Sequence, residues 1–102
     1  MIALKNLTIK NFHEGLVEKK FSALEIAQKF FSHIKEHDKK IGAYLSLNEE
    51  GALREAEAVD IAFAKGDDIS PLAGVPLAIK DNILVEGLPA TAGSRTLDHY
   101  RA

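Results

Sequence analysis

The most informative segment of this sequence reads Gly74-Val75-Pro76-Leu77-Ala78-Ile79-Lys80-Asp81-Asn82. Lys80 directly follows a run of apolar side chains, which makes its ammonium group a candidate for burial. Burial lowers the pKa of a lysine because it disfavours the charged form, and a neutral lysine is a base. The carboxylate of Asp81 would favour the charged form of its neighbour unless it points elsewhere, so we expect Asp81 to serve in local hydrogen bonding. Position alone also allows a second interpretation, in which Lys80 is a solvated residue at the end of a strand.

The composition is that of one small globular domain, with 102 residues of which 46% are hydrophobic and 27% charged. Thirteen basic and fifteen acidic residues give a formal charge of -2, which is too balanced to predict direct nucleic-acid binding. The sequence contains no cysteine, so it has neither disulfides nor thiolate metal ligands, and this fits a reducing cytoplasm. Apolar and charged residues are mixed over the first twenty positions, and we therefore expect neither a signal peptide nor a membrane span.

The spacing of apolar residues predicts three helices. The first begins after Thr8 as N-cap and fades near Lys19-Lys20. The second begins at the capping box Ser22-Ala23-Leu24-Glu25 and ends at Gly42. The third begins after Asn48 and stops at Lys65-Gly66. The predicted buried stripes are Ile9, Phe12 and Leu16 in the first helix, Leu24, Ala27, Phe30, Phe31 and Ile34 in the second, and Ala52, Leu53, Ala56, Val59 and Phe63 in the third.

Two short strands are predicted in addition. Residues 43–47 alternate apolar and polar side chains, and residues 75–79 follow a loop that is rich in turn formers. A short helix is possible from Ser94 toward Tyr100. The sequence therefore predicts an α/β segment with about three helices and two short strands.

The segment from Gly74 to Asn82 resembles the first signature block of the amidase signature family, and Thr91-Ala92-Gly93-Ser94-Arg95 resembles the segment that follows it there. Within that family, residues 41–56 and the two opening helices are similar to the A subunits of the glutamyl-tRNA(Gln)/aspartyl-tRNA(Asn) amidotransferases. The resemblance implies that this chain corresponds to roughly the first fifth of a family member. It also implies that residues 1–102 are a single incomplete domain, the N-terminal part of the amidase fold, in which helices pack on a mixed sheet.

The resemblance implies a catalytic triad of a serine, a cis-serine and a lysine, with Lys80 as the base. In that scheme neutral Lys80 takes a proton, through the bridging serine, from the serine that attacks the amide of glutamine. Both serines belong to a Gly/Ser-rich block farther along the family's chain, so we expect residues 1–102 to be inactive alone. Among the local serines only Ser94, next to Gly93, stays open as a substitute. Ala90 stands where the family often has a polar residue.

The function that the resemblance implies is hydrolysis of glutamine, with the ammonia passed to a partner subunit that holds misacylated tRNA. We expect no cofactor in this chain, and ATP and magnesium in the partner subunit. The expected partners are glutamine as substrate, the other amidotransferase subunits, and tRNA reached indirectly through the complex, without a membrane. The expected location is the cytoplasm, or an organelle in a eukaryote. Two alternatives remain open, a free-standing amidase that acts on a small amide and a non-catalytic helical fragment that only packs against partner chains.

Two other ligand sites receive less support from the sequence. His33 and His37 lie at i and i+4 on the second helix and could share a metal, but nothing supplies a third ligand. Their charged neighbours favour a solvated helical face, and we predict no metal site. A lysine that binds pyridoxal phosphate is the remaining class, and it is disfavoured because no Gly-rich phosphate-binding segment accompanies Lys80.

Overall fold

The computed structural model describes residues 3–102. Its three α-helices are α1 (Ile9–Val17), α2 (Ala23–Ile41) and α3 (Glu49–Ala64), which confirms the three helices predicted from the sequence. Two single-turn 3-10 helices, Leu4–Asn6 and Arg95–Leu97, lie before and after them. The second of these occupies the short helical segment predicted after Ser94. No helix in this part of the chain combines the length and the apolar character needed to cross a bilayer.

Local hydrogen bonds define the ends of the helices. The hydroxyl of Thr8 accepts from the N–H of Asn11 at 3.1 Å, and the Asn11 side chain accepts from the N–H of Thr8 at 2.7 Å, so α1 begins with a reciprocal capping box. The hydroxyl of Ser22 accepts from the N–H of Glu25 at 3.0 Å and caps α2 as predicted. Gly42, with a φ of +67°, ends α2 in the left-handed conformation that glycine adopts most easily.

The apolar core lies where α1, α2 and α3 meet. Phe12 and Ile26 are its largest fully buried side chains, and the rings of Phe12 and Phe21 stack with their centroids 5.8 Å apart. The buried cluster comprises Phe12, Leu16, Phe21, Ala23, Ile26, Ala27 and Ala56. Leu53, Val59 and Phe63 of the predicted α3 stripe pack against this cluster.

The predicted stripe of α2 is displaced from the observed one. Ile26, which was not predicted to be in the core, is 0% exposed, whereas Leu24, Phe31 and Ile34 are only half-buried. The small residues on the Ile26 face allow close packing with the other helices, and this packing decides which face turns inward. On α1, Ile9 is 49% exposed although the sequence placed it in the core.

The prediction of two strands and a mixed sheet is wrong for residues 3–102. The only β-pairing in this range is an isolated antiparallel bridge between Pro89 and Arg101. Residues 43–47 and 75–79 are not helical, but neither forms a ladder with another segment. A strand exists only when a neighbour accepts and donates its backbone hydrogen bonds, and these two segments do not supply each other with one. Leu45 in the first segment remains 69% exposed.

Candidate functional site

The segment that contains Lys80 starts against the helical core. Gly74 has a φ of +80°, and a Cβ atom at this position would lie 3.3 Å from both Ala23 Cβ and Val59 Cγ1. Because glycine adopts positive φ without a steric penalty, Gly74 lets the backbone pass close to α2 and α3. Val75 packs on the same core. The path of the chain toward Lys80 is therefore set by the packing of the helices.

Beyond Val75 the chain leaves the core. Leu77 and Ile79 are 78% and 49% exposed, and Lys80 is exposed as well. Within residues 3–102, the apolar neighbours therefore do not bury Lys80, and its burial stays a prediction for the complete domain. The physical reason is that these neighbours face outward themselves and do not enclose the amine.

Lys80 stands at the first position of a tight turn. Its carbonyl accepts a hydrogen bond from the N–H of Ile83 at 3.0 Å, with Asp81 and Asn82 at the two central positions. Among the described residues, its ammonium forms no ion pair. The backbone of Lys80 is thus fixed, while its side chain is available to groups outside this part of the chain.

Asp81 joins this turn to Thr91, Ala92 and Gly93. One carboxylate oxygen accepts from the N–H of Thr91 at 3.0 Å, and the other accepts from the Thr91 hydroxyl and, at 3.4 Å, from the N–H of Gly93. The carbonyl of Asp81 accepts from the N–H of Ala92 at 3.2 Å. We call this arrangement the Asp81 clamp. It connects the two sequence motifs through one residue.

The hydrogen bonds of the clamp also affect the pKa of Asp81. The hydroxyl of Thr91 and then its N–H hold the pKa of Asp81 below its ordinary value. Desolvation opposes this lowering, and the N–H of Gly93 contributes less than either Thr91 donor. The predicted role of Asp81 in local hydrogen bonding is confirmed. Its carboxylate is satisfied by these donors and forms no ion pair with Lys80.

The role of Thr91 was not predicted from the sequence. Thr91 belongs to the motif Thr91-Ala92-Gly93-Ser94-Arg95, but nothing in its local pattern pairs it with an aspartate ten residues earlier. Ser94, the serine that stayed open as a nucleophile, accepts from the N–H of Thr96 at 3.2 Å and begins the 3-10 helix Arg95–Leu97. The structure thus gives the hydroxyl of Ser94 a local capping contact.

A small cavity of about 180 Å³ adjoins the clamp. Asp81 and Asn82 form its polar side, and buried Ala90 contributes to its apolar side. The complete lining consists of Asp81, Asn82, Leu84, Ala90, Ala92, Leu97 and Tyr100. Ala90, the position at which the family often has a polar residue, therefore serves here as an apolar wall.

The two histidines of α2 lie apart from this site. The ring centroids of His33 and His37 lie 4.2 Å apart on an exposed face of the helix. Within residues 3–102, no group of three or more histidine, cysteine or acidic side chains is arranged to hold a metal ion.

Three comparisons with known proteins agree with these motifs. The model of the amidase family matches residues 25–102. The A subunit of glutamyl-tRNA(Gln) amidotransferase is 45% identical over 93 residues in Limosilactobacillus fermentum and 41% identical over 93 residues in Trichormus variabilis. Each of these alignments covers 91% of this chain and 19% of the relative, so the chain spans about a fifth of the length of the curated relatives that it matches.

A solved structure gives the same result for the backbone. It describes an unexpected vestigial protein complex that reveals the evolutionary origins of an s-triazine catabolic enzyme. Its chain superposes with a TM-score of 0.87 at 30% sequence identity, over 94% of this chain and 21% of the other. The match of the family model, the identity of the relatives and the shared backbone lead to one conclusion: this chain belongs to the amidase family.

Proposed function

We propose that these residues form the amino-terminal segment of the glutamine-hydrolysing subunit of a tRNA-dependent amidotransferase. This subunit releases ammonia from glutamine, and the ATP-dependent complex uses the ammonia to amidate Glu-tRNA(Gln) or Asp-tRNA(Asn). The name of the curated relatives supports the first of these two substrates. The observation that carries the proposal is the placement of Lys80 between Gly74, which lies on the helical core, and the Asp81 clamp.

In this proposal Lys80 is the catalytic base. Neutral Lys80 accepts a proton through a bridging serine from the nucleophilic serine, and both serines come from sequence beyond residues 1–102. The exposure of Lys80, Leu77 and Ile79 supports the proposal, because the rest of an amidase domain would cover this apolar segment. Covering it would remove water from the ammonium and favour the neutral form that a base requires.

The remaining parts of the activity belong to other polypeptides. The chain itself binds no cofactor, and ATP and magnesium belong to the partner subunit. Other amidotransferase subunits are the protein partners, and tRNA is reached only through the complex. The site of action is the cytoplasm, or an organelle in a eukaryote.

A chimeric protein tests the proposal. Residues 1–102 replace the corresponding first fifth of the Limosilactobacillus fermentum relative, which is assembled with the other amidotransferase subunits of that organism, and ammonia release from glutamine is measured. We expect turnover in the chimera and a loss of at least about 100-fold in Lys80→Ala, since a positioned base contributes that much or more. Lys10→Ala, at an exposed position on α1, is the matched control and should retain full turnover.

Three results would remove the proposal. The first is a chimera that hydrolyses simple amides but not glutamine, which would favour a free-standing amidase. The second is wild-type turnover by Lys80→Ala, which would show that Lys80 is not the base. Residues 1–102 alone are expected to release no ammonia, because both serines of the proposed triad come from sequence beyond them. A chimera without any amidase activity would favour the non-catalytic fragment.

A further inference from the structure

We propose that Asp81 is a positioning residue that fixes the backbone of Lys80 through the segment 91–93. The inference rests on the proposed function for its catalytic meaning, but its geometry is independent of that function. It concerns one juxtaposition: the residue next to Lys80 receives hydrogen bonds from three successive residues of a second segment.

The segment 91–93 is shaped to receive oxygen atoms. Ala92 has a φ of +50° and Gly93 a φ of +72°, so consecutive residues adopt the left-handed conformation. Successive N–H groups in such turns converge on one concave side and bind anions. Here the N–H groups of Thr91, Ala92 and Gly93 all donate to oxygen atoms of Asp81. An L-alanine adopts positive φ only at an energetic cost, and these hydrogen bonds compensate for that cost.

The clamp restrains the backbone on the C-terminal side of Lys80, whereas the helical core restrains it on the N-terminal side. Upstream, Gly74 holds the chain against α2 and α3. Downstream, the bridge between Pro89 and Arg101 closes the loop that contains segment 91–93. Between these two fixed points, the turn over residues 80–83 has only the hydrogen bond from Ile83 N–H to Lys80 C=O besides the clamp. Loss of the clamp would therefore release the Lys80 backbone.

The clamp also keeps the carboxylate of Asp81 out of an ion pair with Lys80. Such an ion pair would stabilise the ammonium and oppose a neutral base. The carboxylate of Asp81 instead accepts from the hydroxyl and N–H of Thr91 and from the N–H of Gly93. The geometry thus secures the position of Lys80 without an ion pair between the two neighbours.

Backbone order in the 102-residue chain is the first test. ¹⁵N relaxation of the Lys80 amide is compared in the parent, Asp81→Ala, Asp81→Asn and the control Asp68→Ala, whose aspartate lies at an exposed loop position. We expect an order parameter of about 0.85 in the parent and the control, and a value below about 0.6 in Asp81→Ala. Asp81→Asn should remain close to the parent, because the amide oxygen still accepts from Thr91 N–H and the amide NH₂ can donate to the Thr91 hydroxyl. An Asp81→Ala chain with the order of the parent overturns the proposal.

The chimeric protein is the second test, and it separates geometry from charge. We expect Asp81→Ala to lower kcat by about 100-fold, the cost of a misplaced group, with a smaller change in KM. Asp81→Asn should restore most of this loss and leave the pH profile of kcat close to that of the parent. Equal losses in both variants, or equal shifts of the pH profile, overturn positioning and assign the effect to charge.

The two tests distinguish a failure of the proposed function from a failure of the positioning role of Asp81. Wild-type turnover by Lys80→Ala, or a chimera without glutaminase activity, removes the proposed function. The relaxation data on the 102-residue chain decide in either case whether Asp81 holds the Lys80 backbone.

Discussion

The carboxylate of Asp60, in the last two turns of α3, accepts a hydrogen bond from the backbone N–H of Ala23 at a distance of 2.7 Å. Its second oxygen accepts from the N–H of Leu24 at 3.0 Å. These donors belong to the first turn of α2, where N–H groups lack partners within the helix and the helix dipole is positive. A residue of one helix therefore caps another across 37 positions of sequence.

Asp60→Ala should destabilise the chain. It leaves two partly buried N–H groups without acceptors, and the loss of a helix cap costs about 1–2 kcal/mol. The midpoint of urea unfolding, followed by helical circular dichroism, measures the effect. Asp67→Ala, at an exposed position after α3, is the control and should leave the midpoint unchanged. Equal midpoints for the two variants would show that the contact with Ala23 contributes nothing.

Alanine in place of either of two helical glycines should change the free energy of unfolding, but in opposite directions. At Gly15 in α1, a Cβ atom would lie 2.2 Å from the ring of Phe21, so Gly15→Ala must displace a core side chain. We expect a loss of about 1–3 kcal/mol in the free energy of unfolding.

Gly51 in α3 is the matched control. A Cβ atom there meets only the side chain of Asn48, which makes no capping hydrogen bond and can rotate away. Gly51→Ala should therefore stabilise the chain by up to about 1 kcal/mol through helix propensity. Denaturant titrations of both variants against the parent test the pair, and a stabilised Gly15→Ala would contradict the observed packing with Phe21.

Acid should weaken the Asp81 clamp without abolishing it. The folded-state pKa of Asp81 is lowered, so the stabilisation that depends on its charge is fully present above the ordinary pKa of an aspartate, about 4, and is lost as the pH falls through the lowered value. The amide signal of Thr91 should accordingly shift as the pH falls below about 4. Asp81→Asn removes the titrating group and should abolish the shift. A Thr91 signal that titrates in Asp81→Asn as in the parent would show that another group is responsible.

Leu77 and Ile26 should differ sharply in the chain of 102 residues. Leu77 is 78% exposed, so Leu77→Ala should change the stability by less than about 0.5 kcal/mol. Ile26 is 0% exposed, and Ile26→Ala should cost about 2–5 kcal/mol through the cavity that it leaves. In the chimeric protein the rest of the amidase domain is proposed to cover Leu77. Leu77→Ala should therefore be destabilising there as well. Thermal unfolding of each variant in both proteins measures these differences in stability. An unchanged stability of Leu77→Ala in the chimera would contradict the proposal that the amidase domain covers Leu77.

The helices were predictable because their signals are local. Thr8, Ser22 and Gly42 act on residues within four positions, and the structure confirms all three as helix boundaries. The contact of Asp60 with α2 was not predictable, because it joins residues far apart in the sequence and depends on how the helices pack. The same applies to Ile26, since the choice of the buried face is made by the neighbouring helices.

The prediction of the two strands was wrong for a related reason. The alternation in residues 43–47 describes what a strand needs on its two faces, but it contains no information on whether a partner is present. Lys80 shows the same limit. Its motif identified the family, whereas its solvation depends on what lies over Leu77 and Ile79, and those two side chains are exposed in the described structure. The local pattern thus identified the family but did not predict the environment of Lys80 within residues 3–102.

Gly74 has a consequence for how this segment can evolve. Because the space where a Cβ atom of residue 74 would lie is bordered by Ala23 and Val59, a larger side chain at either of those two positions would press on the backbone that leads to Lys80. In the proposed enzyme, such a substitution would lower turnover through the position of Lys80 while the helices remain folded.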